Sequence, residues 1–538
     1  MDKLPVVYIR GYAGPTAGIN TAVEDPFYGF NSGSTHIRVA GDGAPAFYQF
    51  EGPLIRLISD EGYQVHVHGS QQAVLDDTST DLTKAPSIWV YRFYDQAATT
   101  FAAQPHENLV ERLWKLGHQK ITCDGFDIES AARGLYDLIV KIIERTSDPA
   151  GPPNKVNLVA HSMGGLIARC MIQKICQTKD YKPATELVSR FFTYGTPHGG
   201  IRSAGGIAQW VEETFGPASS EIFAPEMMQG YLDPNKEFGQ HCDKGWDPQV
   251  IDPAVFPVQD IFCLIGTDPA DYGWAPRTAM GPQTDGLVHM DNAYVRGAHR
   301  AYVHRSHSGP FGEVNSEEGY QNLRRFLFGR WAVSAALVDA ALEHDPRFSW
   351  QLDMRLSIRG LSIVMSEQLT EHWCPIMLTA LDGQRDPLAQ PDGVPLAGTF
   401  LLDPRDHGQE FQLAGADGRM RYTLTLRLFK VPVAGSVFNF SNTTEQVPYW
   451  QDWLIVDVEP DANADKVRAY AAWGSLVPGG DLNPDPISQQ LPSEERGQDL
   501  SFTADGASLK ALMPLPGAAA HTGILGGQAK ICIRATAR

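Results

Sequence analysis

The stretch Val156-Asn-Leu-Val-Ala-His-Ser-Met-Gly-Gly-Leu-Ile-Ala-Arg169 restricts what this chain can fold into more than any other. An apolar run reads as a buried strand ending near Ala160. A tight turn then carries Ser162, and an apolar helix starts at once and runs to about Thr178. A strand that passes through one residue into a helix forces unusual backbone angles on that residue. Its neighbours two positions away must therefore be small, and here they are Ala160 and Gly164. The Ser hydroxyl then stands above a sheet at the positive end of a helix, where the amide of Met163 can face an anion.

The surrounding pattern agrees with a sheet of this kind. Leu4–Ile9, Tyr63–Val67 and Ile88–Phe93 read as short buried strands. Residues 127–145 read as a helix capped by Asp127, with Ala131, Leu135, Leu138, Ile139, Ile142 and Ile143 forming a stripe at helical spacing. Strands alternating with helices imply a mostly parallel sheet covered on both faces. After about residue 345 the period changes to two: Leu352–Arg359, Tyr422–Leu428 and Ala529–Arg534 alternate apolar and polar residues. Each such strand buries one face and wets the other, which predicts a β-sandwich over 345–538. A short linker helix is expected over 331–344, centred on Val333–Leu342.

Ala-His-Ser-Met-Gly-Gly resembles the elbow of α/β-hydrolase lipases and esterases, in particular bacterial lipases with Ala at the first small position. Phe192-Thr-Tyr-Gly-Thr-Pro-His-Gly-Gly200 and Asp285-Gly-Leu-Val288 extend the likeness, which covers roughly residues 5–330. It implies an α/β-hydrolase fold for 1–330 and hydrolysis of carboxylic esters by a Ser–His–Asp triad. In that fold the acid and the base follow the Ser in the chain. Asp285 lies in a loop after the apolar strand Asp260–Ile265. His304 and His307 both follow it. His307 is favoured, because its spacing from Asp285 and the helix expected over 315–328 match the lipases. The second oxyanion donor is expected from the amide of Tyr12, where Gly11 lets the backbone pass close. Many lipases have His-Gly here and this chain has Arg10-Gly11.

Residues 200–257 form an insertion with Trp210, Phe215, Ile222, Phe223, Met227 and Met228, suited either to a mobile lid or to packed helices. Trp350, Trp373, Trp450, Trp453 and Trp473 could form a contact surface, although each alone fits a buried core better. His161 reads as a local packing or hydrogen-bonding residue of the elbow, and His198 as structural.

Composition excludes other classes. Lys+Arg number 44 against 63 Asp+Glu, a net charge of −19, which opposes binding to nucleic acid. No apolar run reaches the roughly 18–20 residues of a membrane span, though contact with a lipid interface stays open. The seven Cys show no CxxC pair, and His66 and His68 have no supporting acid, so neither a metal nor another cofactor is expected. The N-terminus shows no basic leader, so the chain reads as cytoplasmic, or as secreted if a leader is missing. Acyltransferase, phospholipase A-type and polyester hydrolase activities use the same triad and stay open beside ester hydrolysis. A binding protein without catalysis is the alternative from another class.

Overall fold

A computed structural model describes residues 3–9, 11, 38–39, 45–46, 51–65, 71–91, 127–201, 222–269, 282–307, 312–342, 345–380, 386–402, 419–433, 447–460, 467–480, 485–490, 503–505, 508–516 and 525–538. The chain divides into two compact units. One comprises Met1–Arg300 with His304–Leu323, and the other Ala301–Val303 with Arg324–Arg538.

The first unit is built on a seven-stranded sheet. Its strands are β1 (Val6–Ile9), β4 (Gln64–Val65), β5 (Ser87–Tyr91), β6 (Val156–His161), β7 (Val188–Tyr194), β8 (Ile261–Gly266) and β9 (His299–Val303). A separate two-stranded pair is β2 (Arg38–Val39) with β3 (Pro45–Ala46). The order is β4-β5-β1-β6-β7-β8-β9, and every pairing from β4 through β8 is parallel. The helices of this unit are α1 (Glu51–Glu61), α2 (Gln71–Asp76), α3 (Ile128–Thr146), α4 (Met163–Gln173), α5 (Ala184–Leu187), α6 (Gln229–Leu232) and the start of α7 (Glu317–Phe328).

Strand β6 lies between β1 and β7 and is buried along its whole length. That position explains why it reads as an unbroken apolar run rather than an alternation. In α3, Asp127 caps the start by accepting from the amides of Glu129 (3.0 Å) and Ser130 (3.2 Å). The apolar stripe of α3 faces inward, and Met163–Ile172 of α4 are buried on all sides. This is an α/β-hydrolase fold, with the Ser162 turn at the carboxyl end of a central strand.

The second unit is antiparallel. Its strands are β10 (Trp331–Val338), β11 (Phe348–Ile358), β12 (Val364–Gln368), β13 (Ile376–Met377), β14 (Val394–Leu401), β15 (Met420–Pro432), β16 (Trp450–Pro460), β17 (Val467–Trp473), β18 (Thr503–Asp505), β19 (Ser508–Pro514) and β20 (Lys530–Ala537). One sheet runs β14-β10-β20-β19-β18 and the other β12-β11-β15-β16-β17, with β13 paired to β11. Leu352, Met354, Leu424 and Leu426 of one sheet share a hydrophobic core with Leu396, Met513, Ile531 and Ile533 of the other.

Two expectations are corrected here. The linker helix expected over 331–344 is instead strand β10, paired along its length with β14 and β20. Val333–Leu342 is rich in Ala and Leu, which favours a helix locally. Pairing on both edges overrides that preference, and Asp339 at φ +54° ends the strand. The polar faces of the second sheet are not all wet either. Asp353, Arg421 and Asp457 are buried, and Ile455, Ala472, Val477 and Ile487 form a second small core. The tryptophans do not make a surface: Trp350, Trp450 and Trp473 are buried, and Trp373 and Trp453 are half-buried.

Candidate active site

Ser162 sits between β6 and α4 with φ +53° and ψ −128°. Such angles cost a non-glycine residue about 1–3 kcal/mol and persist only where the surroundings enforce them. Here the enforcement is visible. The Ser162 amide donates to the Tyr194 carbonyl at 3.0 Å, and the Ser162 carbonyl accepts from Thr196 Oγ1 at 3.0 Å and the Gly165 amide at 3.0 Å. A Cβ on Gly165 would fall 2.2 Å from Thr196 Oγ1, so a larger residue would push the clamp away. Met163 opens α4, and its amide is one of the first four of a helix, which have no partner within the helix.

Asp285 is held by its own turn. Its Oδ1 accepts from the amides of Leu287 (2.9 Å) and Val288 (2.7 Å). That arrangement needs the following glycine, because Gly286 lies at φ +103°. Oδ2 is left for a different partner, and His307 Nδ1 takes it at 2.8 Å. A second link, from the His307 amide to the Asp285 carbonyl at 2.9 Å, fixes the two residues at the backbone as well. Both side chains are nearly sealed from solvent, at 2% and 3% exposure. His307 Nε2, the atom a general base would use, has no hydrogen-bond partner among the described residues.

Ser162 and His307 converge through shared neighbours. His161, next to Ser162, bonds through Nε2 to the His307 carbonyl at 2.9 Å, and the two rings lie 4.7 Å apart. The Tyr194–Thr196 segment that clamps Ser162 also passes His307: a Cβ on Gly195 would lie 2.7 Å from His307 Nδ1. His304 is placed otherwise. Its Nδ1 faces Thr267 Oγ1 at 3.3 Å and its Nε2 lies 3.9 Å from Asp268, with the side chain 40% exposed.

Gly11 belongs to this site. A Cβ there would fall 2.8 Å from His161 Nδ1 and 2.9 Å from Ser162 Cβ, so the backbone passes directly beside the serine. Tyr12, Arg10, His66 and His68 lie outside the described residues, as do Trp210 and Phe215. In the rest of the insertion, Ile222, Phe223, Met228, Tyr231 and Leu232 are buried. This segment is tied to α4 by Lys174, whose Nζ donates to the carbonyls of Gly230 (2.6 Å) and Lys236 (2.8 Å) and to Glu129 (2.6 Å).

Three further polar side chains of this unit are fully buried. Arg169 is fully buried and clasps the carbonyls of His198 (3.0 Å) and Pro248 (2.7 Å); burial pulls its guanidinium down to about 10, still charged at neutral pH. His198 is buried against Thr193 Oγ1 (3.1 Å), and burial holds it well below the usual imidazole range. Glu313, after the His307 loop, is 0% exposed. His161, His307 and Glu313 bring ligating atoms within 4.8 Å of one another. Within this cluster the His307 ring is bonded through Nδ1 to Asp285 and the His161 ring through Nε2 to a carbonyl.

A family model described as "Putative serine esterase (DUF676)" matches residues 65–217, which include Ser162. The GPI inositol-deacylase of Xenopus laevis is 24% identical over 147 residues, covering 25% of this chain and 15% of that protein. These matches support a serine hydrolase. They reach serine esterases rather than bacterial lipases in particular. The chain spans about 15% of the length of the Xenopus relative. A solved structure of the lin2722 gene product of Listeria innocua aligns over 61% of this chain and 94% of that one, with a TM-score of 0.23 and 12% identity.

Proposed function

We propose that this hydrolase cleaves carboxylic esters through an acyl-enzyme on Ser162. The reading rests above all on the sealed Asp285–His307 pair lying against the segment that clamps Ser162 in its strained turn. Ser162 Oγ attacks the acyl carbon while His307 Nε2 takes its proton. Asp285 fixes the imidazole's tautomer and stabilises the charge that forms on it. The oxyanion sits on the amide of Met163 and that of Tyr12. His307 returns the proton to the leaving alcohol. Water then attacks the acyl-enzyme with His307 as base, releasing the acid and restoring Ser162. The resemblance to lipases favours an apolar acyl group, and the net charge of −19 favours a neutral ester over an anionic one. The second unit we read as a β-sandwich joined to the catalytic one.

A chain-length series of p-nitrophenyl esters tests this reading, with Ser162→Ala as the control. Loss of the nucleophile is expected to lower kcat by about 10⁴-fold or more. An organophosphorus probe should label the wild type and not the variant. Equal turnover by both proteins, or no labelling of Ser162 in the folded chain, would leave a binding protein as the better reading. Added alcohols distinguish a hydrolase, which yields free acid, from an acyltransferase, which yields a new ester.

A further inference from the structure

Gly195 follows β7 at φ +46°. A Cβ there would lie 2.2 Å from Glu313 Oε1, 2.7 Å from His307 Nδ1 and 3.1 Å from Asp285 Oδ2. The missing side chain is therefore the space into which three functional groups converge. Glu313 reaches it from a firmly held backbone: its amide donates to the Ser306 carbonyl at 2.8 Å, and its carbonyl accepts from Ser316 Oγ at 2.7 Å. Neither carboxyl oxygen has a hydrogen-bond partner among the described residues. The Gly266 amide faces the group without reaching hydrogen-bond geometry.

Among the described residues, the titratable groups around Glu313 are Asp285 from the loop after β8, His307, His161 from β6 and Tyr194 from β7. No Lys or Arg among the described residues forms an ion pair with it. A second bare carboxylate here would face Asp285 without a Lys or Arg countercharge among the described residues, and a neutral acid avoids that repulsion. Burial, and then the charge of Asp285, push the Glu313 carboxyl well above its ordinary range.

We propose that Glu313 is a positioning residue for the Asp285–His307 pair: it keeps a proton through neutral pH, so that this pocket holds a single carboxylate, and loss of that proton to bulk water sets the alkaline limit of the enzyme. The effect on activity rests on the esterase reading above; the bound proton does not. Once Glu313 ionises, two buried carboxylates repel. The Asp285 turn is then pushed off the geometry that orients His307. The sign for stability follows. Glu313 binds its proton more tightly folded than unfolded. Its stabilising contribution is full below the unfolded carboxyl value of about 4.3 and is lost as pH rises through the raised native value.

The test is Glu313→Gln, which cannot ionise, with Glu313→Leu as a second non-ionising variant. Profiles of kcat/KM against pH, each normalised to its own maximum, should show the alkaline limb of the variants displaced upward by one unit or more. That displacement makes them about tenfold more active, relative to maximum, on the falling side of the wild-type curve. The melting temperature of each variant minus that of the wild type should rise steadily from acid to alkaline pH. Superimposable alkaline limbs and a constant melting difference would overturn the proposal. Wild-type protein labelled at its glutamate carboxyl carbons reads the same proton without substitution. One glutamate titrating far above the rest is expected, and ordinary titration by all of them overturns the proposal. Because this measurement needs no substrate, its failure is separable from failure of Ser162 to turn over esters.

Discussion

Two buried acids, Asp457 in the antiparallel unit and Asp285 in the α/β unit, have opposite surroundings. In the antiparallel unit, Asp457 is saturated: Arg421 grips it through Nε at 2.7 Å and Nη2 at 2.9 Å, Arg419 adds a contact at 3.4 Å, and the Ile487 amide donates at 2.9 Å. Asp353 is treated alike by the Thr370 amide (2.7 Å), Thr370 Oγ1 (2.8 Å) and Arg427 (2.7 Å). In the α/β unit no Lys or Arg among the described residues meets Asp285. Asp285 bonds two amides and an imidazole, and that imidazole keeps Nε2 without a partner among the described residues. A buried ion with every lone pair filled has one stable state and serves the fold. A chain of groups that ends on an open base can change its protonation, and that is what proton transfer requires.

The difference is sharpest if the acids are exchanged for neutral partners. Asp285→Asn keeps the shape of the turn but presents an amide to His307, which favours the wrong tautomer. The expected result is a fall in kcat of about 10⁴-fold with the fold intact. Ester turnover and a melting curve on the same sample decide it. A large loss of stability with turnover preserved would place Asp285 with the structural acids and break the distinction.

Asp457→Ala should do the reverse. It leaves Arg421 buried without its countercharge, and breaking a buried pair in this way costs about 3–5 kcal/mol. Urea unfolding of the full chain should show the antiparallel unit lost at lower denaturant. Hydrolysis of a soluble ester below that transition should be unchanged. A parallel loss of turnover would mean that the two units do not unfold separately.

What the sequence shows of this molecule follows the same division. Ser162, Asp285 and His307 stand out because each needs a local device written in neighbouring residues. Ser162 needs small residues on either side, Asp285 needs Gly286 to turn its amides back, and His307 needs a loop that leads into α7. The strands of the second unit are legible from their alternation. Its buried charges are not, because Asp353 and Arg421 occupy polar positions in that alternation and look solvent-facing until other segments cover them. Strand β10 was hidden by helix-forming Ala and Leu, since its pairing depends on β14 and β20, distant in the chain. Glu313 was hidden for a similar reason: it becomes unusual only when Gly195, more than a hundred residues earlier, leaves room for it.

The contrast would be weaker if the α/β unit contained no saturated buried ion at all, and Lys174 shows that it does. Its ammonium fills its three donors with Glu129 Oε1 and the carbonyls of Gly230 and Lys236. Glu129 lies on α3, and the two carbonyls that Lys174 ties down lie on the insertion rather than at Ser162. Lys174→Met keeps the length of the side chain and removes the donors, at an expected cost of about 2 kcal/mol. Because two of the lost bonds hold Gly230 and Lys236, most of this cost should appear as local opening of the segment around α6. Limited proteolysis within 233–246 should accelerate more than global unfolding does, while kcat on a small soluble ester holds. If kcat falls as far as the cleavage rate rises, this segment shapes the substrate site, and saturation of a buried ion no longer marks a purely structural role in the α/β unit.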